Sequence, residues 1–268
     1  MIREITLGQY YQTQSVLHKM DSRVKLVATL VYIVSLFVVN NFWGYLLAAA
    51  FLALCIILSH VPFRFMIKGM KSILFLMLFA VVLNLFLTPG EPVIRIWKLK
   101  ITDAGILLAA KMAIRLTLLI IGSSLMTLTT TPNHLTDGLE SLLSPLKRLK
   151  VPVHEVAMMM SIALRFIPIL LEETDKIMKA QIARGADFDS GNLLQKAKAM
   201  VPLLVPLFIA AFRRANDLAM AMEARCYRGG EGRTKMKPLI YCRRDYIAYG
   251  VVFVYLAASI VIGRLLPV

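Results

Sequence analysis

Two arginines occupy matching positions in this chain, Arg184 within Ala183-Arg184-Gly185 and Arg225 within Ala224-Arg225-Cys226, 41 positions apart. The planar guanidinium fork makes charge-assisted hydrogen bonds to carboxylates or carbonyl oxygens, so an exposed arginine at a helix end suits a groove on another protein. A cation in the last turn of a helix also gains about 0.3–1 kcal/mol from the helix dipole, which is enough to account for one such residue. Two Ala-Arg-X segments, each closing a long helical pattern, look instead like a repeated device for docking two partners.

The other candidate chemistry is thin. Gly229-Gly230-Glu231-Gly232-Arg233-Thr234 is rich in glycine but lacks the lysine and following helix of a phosphate-binding loop, so it reads as a linker. His154-Glu155 begins like a zinc-protease motif, yet Met158 stands where the second histidine ligand would be needed. Cys55, Cys226 and Cys242 are dispersed with no CxxC spacing, which supports neither a disulfide framework nor a metal knuckle. Lys111 and Arg115 share a helix face within an apolar run. Lys111 is placed to snorkel to the interface, and Arg115, deeper, to brace its helix against Asn84. Met158, Met159 and Met160, with Met178, Met200, Met220 and Met222, form either a soft surface that adapts to interchangeable partners or ordinary core filler.

These residues must be positioned by a chain that is 58% hydrophobic with mean hydropathy +0.69, more apolar than a soluble core requires. It reads as a polytopic membrane protein. Arg3, Glu4, the polar stretch from Gln9 to Gln14 and Asp21 precede the first apolar run, which argues against a cleavable signal. The net charge of +15 is scattered at the ends of apolar runs without interleaved aromatics. That pattern fits a positive-inside membrane topology and contact with anionic lipid, and it does not fit nucleic-acid binding.

Five spans are expected, over Leu26–Val39, Trp43–Leu58, Ile73–Leu87, Ala104–Leu128 and Ile247–Leu266. Lys25, Arg64 and Lys71 are expected to snorkel at their ends. Arg3, Lys19, Arg23 and Lys25 before the first run, and Arg64, Lys68 and Lys71 between the second and third, place the N-terminus in the cytoplasm. The segment Thr88 to Asp103 and the C-terminus are then outside. The expected division is transmembrane helices over 1–131, a cytoplasmic coupling domain over 132–246 and a last transmembrane helix over 247–268. The fold class is all-α.

The long cytoplasmic segment carries its own helix punctuation. Thr131 before Pro132 starts a short helix that Pro145 ends. Pro152 starts a second that runs to Arg184, with Gly185 at the left-handed C-cap position and a kink at Pro168. Asp189, Ser190 or Asn192 caps a third, which contains Pro202 and Pro206, runs to about Arg225 and is stopped by Gly229-Gly230. The small residues Ala211, Ala215 and Ala219 recur every fourth position and allow a neighbouring helix to approach, in a crossed pair of long helices. They are equally good helix formers in their own right. Val156–Leu171 and Val201–Phe212 read as buried or interfacial helices, although hydropathy alone does not remove two additional spans, which would leave the topology parity unchanged.

Ala163-Leu164-Arg165-Phe166-Ile167-Pro168 followed by Ala180-Gln181-Ile182-Ala183-Arg184-Gly185, and then Ala219-Met220-Ala221-Met222-Glu223-Ala224-Arg225, resemble the two motifs of the transmembrane T component of energy-coupling factor (ECF) transporters. The resemblance implies a cell-membrane protein with three cytoplasmic coupling helices. It also implies that Ala183, Arg184, Gly185, Ala224, Arg225 and Cys226 dock two ATP-binding-cassette ATPases. Those partner ATPases, and not this chain, would bind ATP and Mg and hydrolyse the ATP. A separate substrate-binding S component would be held by the membrane domain and the helices, with Met158, Met159 and Met160 as candidate contacts, for vitamin or micronutrient uptake. Cys226 in place of glycine departs from the motif. The competing class, a self-contained secondary transporter or channel, calls for intramembrane carboxylates or broken helices, and the five expected spans contain no Asp or Glu.

Overall fold

A computed structural model describes residues 10–89, 92–96, 99–188, 192–230, 236 and 238–265. Among the described residues eight α-helices follow one another: α1 (Ser22–Val38), α2 (Phe42–Ser59), α3 (Phe63–Leu87), α4 (Asp103–Thr129), α5 (Pro132–Leu143), α6 (Val153–Ala183), α7 (Leu193–Ala224) and α8 (Arg243–Leu265). A 3-10 helix over Ser144–Leu149 links α5 to α6. Between α3 and α4, within the segment Thr88 to Asp103 that is expected outside the membrane, lies an antiparallel pair, β1 (Pro92–Ile96) and β2 (Leu99–Thr102). Its register pairs Ile96 with Leu99 and Ile94 with Ile101, and the three isoleucines are β-branched residues that favour extended backbone.

The chain divides into two compact units, one formed by Gly8–Ser141 with Leu239–Val268 and the other by Met1–Leu7 with Leu142–Pro238. In the first unit α4 lies beside α1, α2 and α3, and α8 beside α1 and α2. Its core gathers Tyr32, Leu36, Tyr45, Ala48, Leu52, Leu118, Ile121, Leu125 and Tyr255. Phe51 stacks on Tyr255 with ring centroids 4.3 Å apart, and the Tyr255 hydroxyl shares a 2.7 Å hydrogen bond with Ser35 Oγ. Gly122 lets α4 approach α1 closely, since a Cβ there would lie 2.5 Å from the Tyr32 ring.

Two expectations about polar residues in this unit are corrected. Lys25 does not snorkel: it is buried, and its ammonium donates to the carbonyls of Thr129 at 2.8 Å and His18 at 3.4 Å. With Tyr11 N donating to Leu128 O at 2.9 Å, it satisfies carbonyls that the end of α4 leaves without helical partners. Arg115 does not brace against Asn84, whose amide turns back to Ala80 O of its own helix. The guanidinium reaches Tyr45 Oη at 2.7 Å and Asn40 Oδ1 at 2.9 Å, so it ties α4 to α2 and to the turn before it. Arg64 is exposed, as expected, and the Lys71 side chain lies outside the described residues.

Among the described residues five helices are long and apolar enough to cross a membrane, and the chain is a multi-pass membrane protein. The set is α2, α4, α6, α7 and α8. It differs from the expected one in taking in α6 and α7, 31 and 32 residues long, and in leaving out α1, 17 residues long, and α3, whose described apolar stretch is Ile73–Phe86. Pro168, Pro202 and Pro206 leave those two helices uninterrupted.

Candidate functional site

The second unit is built on α6 and α7. Pro152 precedes α6 as its cap, and Asn192 begins α7 with its backbone N donating to Gln195 Oε1 at 3.0 Å. Asp189 and Ser190, the alternative caps, lie outside the described residues. The two helices run antiparallel. Near the end of α6, Gln181 Nε2 donates to Pro202 O at 3.2 Å, and Glu173 pairs with Arg214 at 2.9 Å farther back. A groove of about 300 Å³ follows, with Ile162, Phe166 and Leu170 of α6 facing Ala211, Ala215 and Ala219 of α7. The small-residue stripe therefore lies toward α6.

Gln181 has a defined task in this pair. Pro206 has no N–H, so the carbonyl four residues earlier, that of Pro202, loses its helical donor. Gln181 supplies one from the neighbouring helix. The residue sits three positions before Arg184, and sequence reasoning gave it no role of its own. The signal was the Pro202/Pro206 spacing of four, which leaves one proline's carbonyl orphaned by the other.

Both arginines are C-caps of the same kind. Arg184 closes α6 with φ −87° and ψ 4°, and Arg225 closes α7 with φ −89° and ψ 11°. After each, one residue turns left-handed: Gly185 at φ 90° and Cys226 at φ 54°. Gly185 N then donates to Ile182 O at 2.9 Å and Ala186 N to Gln181 O at 3.0 Å. Cys226 N donates to Glu223 O at 2.8 Å and Tyr227 N to Met222 O at 3.0 Å, the same pair of bonds in the same register. These are two Schellman ends. The second helix is thus stopped by Cys226 itself rather than by Gly229-Gly230, because a left-handed residue satisfies the last carbonyls at once.

Arg184, Gly185, Arg225 and Cys226 are exposed, as are Ala183 and Ala224. Among the described residues neither guanidinium has a hydrogen-bond or ion-pair partner. The antiparallel course sets the motifs at opposite ends of the pair, since Gln181 lies beside Pro202 while Met222 lies beside Ile162. At 1.5 Å per residue, the 26 positions of α7 between the level of Arg184 and Arg225 amount to about 40 Å. The two arginines therefore lie far apart on this helix pair.

The methionines divide. Met222 lines the groove against α6, Met158 is half-buried, and Met159 and Met160 are exposed at 58% and 41%. With Val156, Met200, Val201, Val205, Phe208 and Phe212 they leave both helices with extensive uncovered apolar surface. Among the described residues no group of three or more His, Cys, Asp or Glu is gathered as for a metal ion.

A family model described as cobalt transport protein, CbiQ, matches residues 13–236. A protein of Ruminiclostridium cellulolyticum named energy-coupling factor transporter transmembrane protein EcfT is 56% identical over 256 residues, covering 96% of each chain. Proteins with the same name from Clostridium kluyveri and Bacillus subtilis are 58% and 48% identical, over 92% and 91% of this chain and 93% of each relative. The chain belongs to this EcfT/CbiQ family.

Membership bears on the whole length, because the similarity takes in both units, and it makes the chain a transmembrane component of an energy-coupling factor transporter. Within the family frame, the helix ends at Arg184 and Arg225 are the exposed cationic features that repeat in geometry as well as in sequence.

Proposed function

We propose that this chain couples ATP hydrolysis in two partner ATPases to uptake by an ECF-type importer. Arg184 and Arg225 each enter a groove on one ATP-binding-cassette subunit, flanked by Ala183 and Gly185 in one case and by Ala224 and Cys226 in the other. ATP and Mg belong to those subunits. When ATP binding draws the ATPases together, the ends of α6 and α7 move with them, and the paired helices pass the displacement to a membrane-embedded S component that holds a vitamin or another micronutrient. The residues 132–246 act as the cytoplasmic coupling domain, and 1–131 with 247–268 as the membrane domain, with the N-terminus in the cytoplasm and the C-terminus outside. Met158, Met159 and Met160 contribute to the face that meets the S component.

The observation that carries this reading is the pair of identical Schellman ends, each presenting an exposed arginine on an antiparallel helix pair. The helix dipole explains a cation at either end, but it does not explain why both follow alanine and both remain exposed. At ~1.5–3 kcal/mol for each charged hydrogen-bonding residue, loss of both weakens docking by ~10²–10⁴-fold. Co-purification of ATPases with the Arg184→Glu, Arg225→Glu double variant tests it. The expected result is a membrane-inserted chain without ATPases; full retention of both ATPases overturns the docking role.

A further inference from the structure

Arg23 lies in the first turn of α1 with its side chain only 12% exposed. Its Nε and Nη2 donate to the Asp21 carboxylate at 2.7–3.2 Å. Nη2 also donates to Leu239 O at 3.1 Å, Nη1 donates to Ser141 Oγ at 3.4 Å, and the guanidinium lies 3.8 Å from the centre of the Tyr241 ring. Asp21 is held in turn, because its backbone N donates to Asp245 Oδ1 at 3.0 Å while Asp245 Oδ2 accepts from Cys242 N at 2.8 Å.

The placement of these partners along the chain is what matters. Ser141 is the last residue of the bundle before the 142–238 unit begins, and Leu239 is the first residue after it ends. One guanidinium therefore grips both flanks of the 142–238 segment, at Ser141 where the chain leaves the bundle for it and at Leu239 where the chain returns. Capping α1 does not require this, since Asp21 Oδ1 already accepts from Arg23 N at 2.9 Å. A lysine would supply the charge for Asp21 but not the planar fork that reaches a carboxylate, a carbonyl, a hydroxyl and an aromatic face together.

We propose that Arg23 is a positioning residue for energy coupling: it clamps the two chain crossings at Ser141 and Leu239, so that movement of the 142–238 unit reaches α1 and α8 as a single displacement. The inference rests on the reading that ATPases move that unit. Hydrogen exchange of the purified transporter complex, with and without ATP and vanadate, tests it in the wild type and in Arg23→Lys, which keeps a cation beside Asp21. Without nucleotide, Arg23→Lys is expected to raise exchange across 239–242 by about 10–100-fold and to leave 26–38 unchanged, in line with loss of one charged hydrogen bond and the stacking. Tyr241→Leu, which keeps every hydrogen bond of Arg23 but removes its stacking together with the Tyr241 contacts to Tyr246 and Tyr249, is expected to raise it by about 3–10-fold. With nucleotide, the wild type is expected to change exchange in 153–225 and in 239–249, and Arg23→Lys only in 153–225. Unchanged exchange at 239–242 in both variants overturns the clamp. A nucleotide response that still reaches 239–249 in Arg23→Lys, or never does in the wild type, overturns its part in coupling and leaves ATPase docking intact. If no ATPase co-purifies with the wild type, the docking reading fails, and the nucleotide-free comparison still decides whether Arg23 clamps.

Discussion

Exchanging the two left-handed residues that stop α6 and α7 separates backbone strain from every other influence at these helix ends. Gly185 holds φ 90° and Cys226 φ 54°, and a Cβ at Gly185 would meet nothing within 4 Å. The cost of Gly185→Ala is therefore conformational and not steric, about 1–2 kcal/mol for an L-residue in this region. Cys226 already bears a cost of that kind, so Cys226→Gly is expected to stabilise its end by a similar amount, reduced by the greater entropy of glycine in the unfolded chain. Since 1.4 kcal/mol is a factor of ten, Gly185→Ala should raise the open fraction of the α6 end by roughly 5–30-fold, while Cys226→Gly should lower that of the α7 end by about 3–10-fold. Hydrogen exchange at the amides of 185 and 186 and of 226 and 227 reads both, because these amides make the bonds that close the ends. Faster exchange at 226 and 227 in Cys226→Gly, or no change at 185 and 186 in Gly185→Ala, would refute the argument from strain.

Three further outcomes are expected. Gln181→Ala should cost about 1–2 kcal/mol in thermal unfolding in detergent, and almost nothing in a Pro206→Ala background, where a restored amide supplies the donor to Pro202 O; equal costs in both backgrounds would contradict the assignment. Arg115→Ala should destabilise the bundle by about 1.5–3 kcal/mol, because it strips the charged donor from the buried Tyr45 hydroxyl, whereas Asn84→Ala should shift the melting temperature little. Asp21 supplies a pH dependence: burial pushes its carboxyl up, but the bonds from Arg23 outweigh this and hold it below the usual carboxylate range. A depressed folded-state value contributes stability that is present above about pH 4 and is lost as pH falls through that value. Asp21→Asn should accordingly flatten the acid limb of the melting-temperature profile and lower the plateau above it.

Most helix positions were legible because each carries local punctuation. Pro132 and Pro152 open α5 and α6, Gly185 closes α6, and the apolar runs coincide with α2, α4 and α8. The stop at Cys226 was hidden, since a left-handed cysteine leaves no mark in composition and the glycine pair three residues on attracts the assignment. The partner of Arg115 was hidden for another reason. Periodicity shows that Lys111 and Arg115 share a face, but not whether α2 or α3 presents the acceptor, and both carry one. Lys25 was misjudged because a lysine beside an apolar run usually reaches outward, while here the end of α4 offers it a carbonyl. Arg184 and Arg225 were found by their repetition in sequence; the identical bonds that follow them, and the bridge from Gln181 to Pro202, depend on three-dimensional partners that spacing does not specify.

An antiparallel pair of helices that end alike has an approximate twofold axis through its midpoint, perpendicular to the pair. Rotation about that axis exchanges the end at Arg184 with the end at Arg225. On the docking proposed above, a single asymmetric chain thereby repeats one backbone foothold for a partner that is itself twofold symmetric, whether two copies of one subunit or two close relatives. The equivalence is one of backbone only: Gly185 has no side chain where Cys226 bears a thiol, and Ile182, Ala186 and Asp187 stand where the other end has Glu223, Tyr227 and Arg228. The two ends therefore share one backbone geometry and present different side chains around it.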